Sequence, residues 1–329
     1  MSVSRSIVGF VVGAGLPLLG SCAKRPTEPP TAKGETISAV RVPREEKPVT
    51  MAQPARYAFA VVGDYGTSDA TEAAVAKLVK SWNPAFIVTT GDNIYPDGGG
   101  DYDRAIGEYY AEYIGSYRGR AGAGSMQNRF WPSPGNHDWA GNEGLANYRA
   151  FFTLPAGPGN ERYYDVALDA EGLAHLYVVD SDPHEPDGID ASSRQASWLR
   201  ERLTANARSS CFHLVAFHHP PFTTLTGHGP AAPLRWPFKS WGADLVLSGH
   251  NHHYERLVVD GLTYLISGTG GAHLYEHRAA PPAESLVFDD TRYGAVRLSV
   301  ARGELLGEAL AVGEDKPRDR FLLTKSCPK

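Results

Sequence analysis

Ala85-Phe86-Ile87-Val88-Thr89-Thr90 runs directly into Gly91-Asp92-Asn93-Ile94-Tyr95. The first six residues are apolar and β-branched, the pattern of a short buried strand. The next five place a carboxylate on a tight turn at its end. In open α/β sheets the loops leaving the carboxyl ends of strands hold polar side chains on a rigid frame, so ligands collect there. Alone, Gly-Asp has an ordinary explanation as turn chemistry. The same arrangement occurs upstream, where residues 57–62 read as a strand closing on Gly63-Asp64-Tyr65-Gly66. Residues 70–80 have helical composition, with Ser68 or Asp69 placed to cap them. Strand, Gly-Asp turn, helix, strand, Gly-Asp turn makes a β-α-β unit, which predicts Asp64 and Asp92 at one edge of a parallel pair.

Downstream, Gly98-Gly99-Gly100 marks a loop, residues 102–114 are expected to be helical, and Phe130-Trp131-Pro132-Ser133-Pro134 leads into Gly135-Asn136-His137-Asp138. Strands are expected near 163–168 and 176–179. A helix follows over 193–205, with Ala196, Leu199 and Leu203 on one face. The next strand, 212–217, ends in His218-His219-Pro220-Pro221, and 245–248 ends in Gly249-His250-Asn251-His252-His253. Further strands are expected at 262–266, 295–300 and 304–311. A single strand-end histidine is usually a surface or hydrogen-bonded residue. Together the polar turns supply carboxylates, an amide, imidazoles and a phenol. That set suits hard or borderline cations and lacks the thiolates of a structural zinc site.

The 329 residues, 42% of them hydrophobic, can bury a large core, and the formal net charge of −5 argues against a nucleic-acid partner held by a basic face. Residues 1–22 read as a targeting segment: Arg5 flanks an apolar stretch too short for a comfortable span, and Leu19-Gly20-Ser21-Cys22 resembles a bacterial lipoprotein cleavage box. An ordinary signal peptide or a short anchor is the alternative. Each version places the protein outside the cytoplasm, in the periplasm or cell envelope, and the lipoprotein version anchors it by lipid at Cys22. Residues 23–55 are rich in Pro and charge, as a solvated tether would be, and 56–329 form the folded domain. Cys211 and Cys327 are the cysteines of that domain; the compartment permits a disulfide, and spacing does not show whether they meet.

GDYG (63–66), GDNIY (91–95), GNHD (135–138), VAFH (215–218) and GHNH (249–252), in this order, resemble the five blocks of the metallophosphoesterases, and specifically of purple acid phosphatases. Gly66 stands where the wider superfamily usually has a histidine, and Tyr95 where it lacks a tyrosine. Supporting matches are Val179-Asp180-Ser181, Gln195 with Trp198-Leu199, and His252-His253-Tyr254-Glu255-Arg256. The resemblance implies a four-layer α-β-β-α sandwich of two mixed sheets. It implies one metal ion held by Asp64, Asp92, Tyr95 and His252, and a second held by Asp92, Asn136, His218 and His250, with Asp92 shared. Fe(III) with Fe(II), Zn(II) or Mn(II) is the implied pair. Anionic ligands favour the trivalent ion at the first site.

Two ions roughly 3.5–4 Å apart bind phosphate oxygens and activate water, so the expected reaction is phosphomonoester hydrolysis by hydroxide. His137 is the candidate to hold phosphate or protonate the leaving oxygen, with Asp138 either orienting it or capping a turn. His228, in His228-Gly229-Pro230, resembles a family histidine that reaches the phosphate. His219 reads equally as a group behind the ligands or a packed turn residue. His253 and His273 read as surface residues ahead of pocket residues, and His175, His184 and His213 as structural. Tyr65 and Trp139 are better explained by packing than as pocket walls. The rivals are a phosphodiesterase on nucleotides or lipids, with substrate choice in loops 96–101 and 222–234, and a tethered binding protein without catalysis.

Overall fold

The computed structural model describes residues 49–141, 144–276 and 282–328. The expected targeting segment and most of the expected tether, through residue 48, lie outside the described residues. Among those described, no helix is long and apolar enough to cross a membrane. The last expected tether residues are already pinned to the domain, since Ala52 and Gln53 donate backbone N–H bonds to the Glu304 carboxylate at 3.1 and 2.9 Å.

Two mixed sheets form the frame. The first contains β1 (Tyr57–Val62), β2 (Ile87–Thr89), β3 (Phe130–Pro132), β11 (Gly294–Ala301), β12 (Glu304–Ala311) and β13 (Asp319–Thr324), in the spatial order β13-β12-β11-β1-β2-β3. The second contains β4 (Tyr164–Ala167), β5 (Ala174–Val178), β6 (Phe212–Ala216), β7 (Leu245–Ser248), β8 (Tyr254–Val259), β9 (Leu262–Ser267) and β10 (Ser285–Asp289), ordered β10-β8-β9-β7-β6-β5-β4. β1, β2 and β3 run parallel, with Val62 opposite Thr89 and Thr89 opposite Pro132. They therefore release Asp64, Asp92 and Asn136 from one edge. β6 and β7 are parallel as well and release His218 and His250 together.

Alternation explains why both faces of the second sheet are covered. β6 is buried throughout, yet Leu214 and Ala216 join a core with Phe59, Val61 and Val296 of the first sheet, while Val215 packs with Leu199 and Leu203 of the helix Arg194–Asn206. On the first sheet, the helix Ala70–Ser81 buries Val75, Ala76 and Val79 in the shared core and contacts β11. Asp69 caps that helix, accepting from Thr71 and Glu72 N–H. The result is the expected arrangement of two sheets with helices. Cys211 and Cys327 meet in a disulfide with Cα atoms 4.7 Å apart, tying the C-terminal segment to the start of β6.

Residues 102–114 depart from a regular helix. Asp103–Gly107 forms a π-turn, Glu108–Tyr110 one α-turn and Ala111–Tyr113 a 3₁₀ turn. Gly107 weakens helix propensity there, and the Asp103 carboxylate is drawn outward to the Tyr117 hydroxyl and the Arg120 N–H. Strands β8, β10 and β13 have no counterpart among the expected elements. β8 opens Tyr254-Glu255-Arg256, whose charges are buried only because distant groups satisfy them: Arg256 and the Tyr254 hydroxyl bind Asp319 of β13 at 2.6–3.0 Å.

Candidate metal centre

Three of the candidate ligands stand on turns that only certain residues tolerate. Asp64, Asp92 and His250 have φ of 56°, 51° and 67°, left-handed values that cost other non-glycine residues most and that collect at functional sites. Gly91, at φ 90°, is required twice over, because a Cβ there would stand 2.5 Å from His218 Nδ1. At Gly135 a Cβ would stand 2.3 Å from the Asp92 backbone nitrogen and Oδ1, so this glycine makes room for the carboxylate.

The side chains converge in two sets. In the first, the Tyr95 hydroxyl lies 3.0 Å from Asp92 Oδ2, 3.4 Å from Asp64 Oδ1 and 3.1 Å from His252 Nε2, and His252 Nε2 lies 3.3 Å from Asp64 Oδ1. In the second, Asn136 Oδ1 is 3.0 Å from His218 Nε2 and 2.9 Å from His250 Nδ1. Those two nitrogens are 3.2 Å apart, and His218 Nε2 is 3.3 Å from Asp92 Oδ1. Atoms bound about 2.0–2.2 Å from one ion stand roughly 2.8–3.5 Å from each other, so both sets have the spacing of a coordination shell.

The tautomers also fit. His218 Nδ1 donates to the Thr90 carbonyl at 2.8 Å and His252 Nδ1 to the His273 carbonyl at 2.6 Å, which leaves each Nε2 as a bare lone pair facing the site. Lone pairs of Asn136, His218 and His250 crowded together need a positive charge between them. Burial opposes charge on His218, but the Asp92 and Asp64 carboxylates raise it to about 10, which marks the point as one that favours a cation or a proton. Asp92 is buried, yet His218 and His137 hold it below the usual carboxylate range. Burial, with Asp92 and Asp64 nearby, pushes the Tyr95 phenol well above its ordinary value; a cation in the first set reverses that bias by favouring the phenolate.

Around the ligands, His137 is about a third exposed, with Nε2 3.9 Å from Asp92 Oδ2 and Nδ1 2.5 Å from the Pro96 carbonyl. The group orienting its ring is therefore that carbonyl. Asp138 is fully buried and accepts from the N–H groups of Asn93 and Gly135, the Asn93 amide and the Tyr102 hydroxyl, the bonding of a turn cap. Burial and Asp92 raise its carboxyl to about 6 against those N–H bonds.

The His228 ring sits 5.4 Å from His250 and stacks on Tyr275 at 4.8 Å, while Tyr275 stacks on His252 at 4.1 Å. This places His228 at the mouth, beside a cavity of about 650 Å³ lined by Leu225, His273 and Tyr275 among others. No sequence motif marks Tyr275, an aromatic a few residues beyond Gly270-Gly271.

His219 lies on the second set, its ring 4.4 Å from that of His250; burial and His218 push it down to about 3. His253 is a buried partner of Glu255 at 3.1 Å rather than a surface residue, and His273 contributes its carbonyl to His252. His175 pairs with Asp165, His184 with Asp182 and His213 with Tyr177. Tyr65 is buried against Asn93, and Trp139 donates to Asp180.

The turns, the two ligand sets and the paired sheets define a metallophosphoesterase: the chain matches the calcineurin-like phosphoesterase family over residues 57–254 and belongs to it. It is 28% identical over 253 residues to purple acid phosphatase 15 of Arabidopsis thaliana, covering 65% of this chain and 44% of that protein. It is 27% identical over 245 residues to human (Homo sapiens) tartrate-resistant acid phosphatase type 5, covering 64% of this chain and 72% of that one. The chain thus spans less than half of the Arabidopsis relative. In fold it is similar to the purple acid phosphatase PPD1 from yellow lupin (Lupinus luteus), with TM-score 0.65, 16% identity and coverage of 82% and 54%. It is equally similar to GAP50, described as the anchor in the inner membrane complex of Plasmodium, with TM-score 0.64, 17% identity and coverage of 83% and 90%. At those identities the likeness is one of fold alone.

Proposed function

We propose that the chain hydrolyses phosphomonoesters at a dinuclear centre of the purple acid phosphatase type, with Fe(III) in the Asp64, Tyr95 and His252 set and Fe(II), Zn(II) or Mn(II) in the Asn136, His218 and His250 set. One observation carries this reading: Asp92 is divided between the sets, Oδ2 toward the Tyr95 phenol and Oδ1 toward the His218 imidazole. When bound, such a pair would grip phosphate oxygens and make water nucleophilic at neutral pH.

The chain's own residues supply the rest. Because the Pro96 carbonyl takes the His137 Nδ1 proton, Nε2 is left turned toward Asp92 and the site. In the imidazolium form, with both ring nitrogens protonated, Nε2 is placed to hold a phosphate oxygen or give a proton to the leaving oxygen. His228, clamped between Tyr275 and His250, is placed to meet the phosphate at the entrance.

The test is metal content and visible absorption of the protein, with a phosphomonoester and a phosphodiester compared across pH. Two metals per chain and monoester preference support the reading; metal-free protein or diester preference overturns it. Tyr95→Phe is expected to bleach a ferric phenolate band while the fold persists, and a band that survives in this variant would remove Tyr95 from the shell.

We further propose export to the periplasm or cell envelope with lipid attachment at Cys22, a reading supported by the disulfide, which suits an oxidising compartment. Mass analysis of the N-terminal peptide should find diacylglycerol on Cys22; an unmodified cysteine in the mature protein would rule the anchor out.

A further inference from the structure

Ser181 follows β5 and stands behind the second ligand set. Its Oγ accepts the backbone N–H of His218 at 3.2 Å and of His219 at 2.9 Å, and it lies 2.9 Å from His219 Nδ1. A serine hydroxyl has two lone pairs and one proton. Both lone pairs are taken by backbone donors, so the proton goes to His219 Nδ1. A neutral imidazole that accepts at Nδ1 carries its own proton at Nε2. His219 is thereby the opposite tautomer of His218, whose Nδ1 proton goes to Thr90 and whose bare Nε2 faces the site.

This settles what His219 can do. Its position invites assignment as another ligand, since one of its ring nitrogens lies within 4.8 Å of ligand nitrogens of His218 and His250. Coordination needs a bare nitrogen, and the one His219 has is occupied by Ser181. What remains is an N–H donor beside the second set, on a partly buried ring packed 4.4 Å from His250 and 4.9 Å from His218. Among the described residues no hydrogen-bond partner faces that Nε2.

We propose that His219 is a substrate-contacting residue whose Nε2–H donates to a phosphoryl oxygen at the His218–His250 side of the centre, with Ser181 as the positioning residue that sets its tautomer. This rests on the reading of the site as a phosphoesterase centre. A neutral donor there binds the anion without adding a cation that would compete with the metal ions for their ligands.

The experiment compares the parent protein with His219→Ala, His219→Gln and Ser181→Ala, measuring metal content, the affinity for inorganic phosphate and kcat/KM. His219→Ala is expected to keep two metals per chain and to weaken phosphate binding about tenfold or more, the scale of one hydrogen bond to a charged group. His219→Gln, whose amide N–H reaches toward the Nε2 position, should recover part of that loss, and Ser181→Ala should fall between. Loss of a metal ion in His219→Ala would make His219 a ligand and overturn the proposal. Phosphate affinity equal to the parent's would make it a packing residue and overturn it too. If the parent itself binds no phosphate, the reading of the centre fails and takes this inference with it.

Discussion

Asp92→Asn is expected to lower kcat/KM by on the order of 10³-fold, the scale of losing a preorganised charge at a reacting centre, and to release metal from both halves of the site. Asp92 is the residue whose two oxygens face different ligand sets, and it is fully enclosed, so no water can take the place of a missing carboxylate oxygen. An asparagine keeps the shape and can still accept the His137 N–H that Asp92 Oδ1 accepts at 2.9 Å. What it cannot do is present two anionic oxygens. Circular dichroism should stay near the parent's, and the thermal midpoint near that of the metal-free parent, while metal stoichiometry and activity fall together. A variant that retains two metals and full activity would remove Asp92 from its bridging place.

Cys327→Ser is expected to destabilise the domain by about 4–5 kcal/mol, because the disulfide with Cys211 closes a loop of 116 residues and its chief effect is on the unfolded chain. For a domain of this size that amounts to a fall in Tm on the order of 10 °C. The bond holds the end of the chain near β6, where Lys325 also pairs with Asp244 at 2.7 Å. Asp319 of β13, a few residues earlier, receives Tyr254 and Arg256 from β8. Loosening the terminus therefore loosens the strand behind the His250–His252 turn without touching a ligand. Scanning calorimetry of parent and variant, each with and without reductant, checks this: only the parent should respond. Equal midpoints in all samples would show that the bond adds nothing to stability.

GAP50 shows why fold likeness could not decide function for this chain. A protein described as an anchor superposes on it as well as a purple acid phosphatase does. The weight falls instead on side chains at the strand ends, and there local pattern was informative. Each of the turns after β1, β2, β6 and β7 follows a run of apolar, β-branched residues, so both the end of the strand and the identity of the exposed polar residues are written in consecutive positions. The same locality explains what was missed. β8 begins with Tyr254, Glu255 and Arg256, and nothing near them announces that Asp319 and Ser285 make those charges buriable. Asp138 sits beside His137 in the chain, but its partners are Asn93 and Tyr102, so adjacency pointed to a pairing that the fold does not make.

Consecutive residues encode which side chains could bind a metal and that Asp64 and Asp92 leave one edge, because the parallel strands of a β-α-β unit end on the same side whatever their loops do; that the His218 and His250 turns of the other sheet meet them is a matter of how the two sheets pack. The tertiary structure decided which way those atoms face. His218 presents Nε2 because Thr90, 128 residues away, takes its other proton; His219 presents the opposite tautomer because Ser181 has a proton to give; and Asp92 lies between the two sets because Gly135 leaves space against its carboxylate. Orientation and protonation are set by contacts between distant segments, and no pattern of neighbouring residues encodes them.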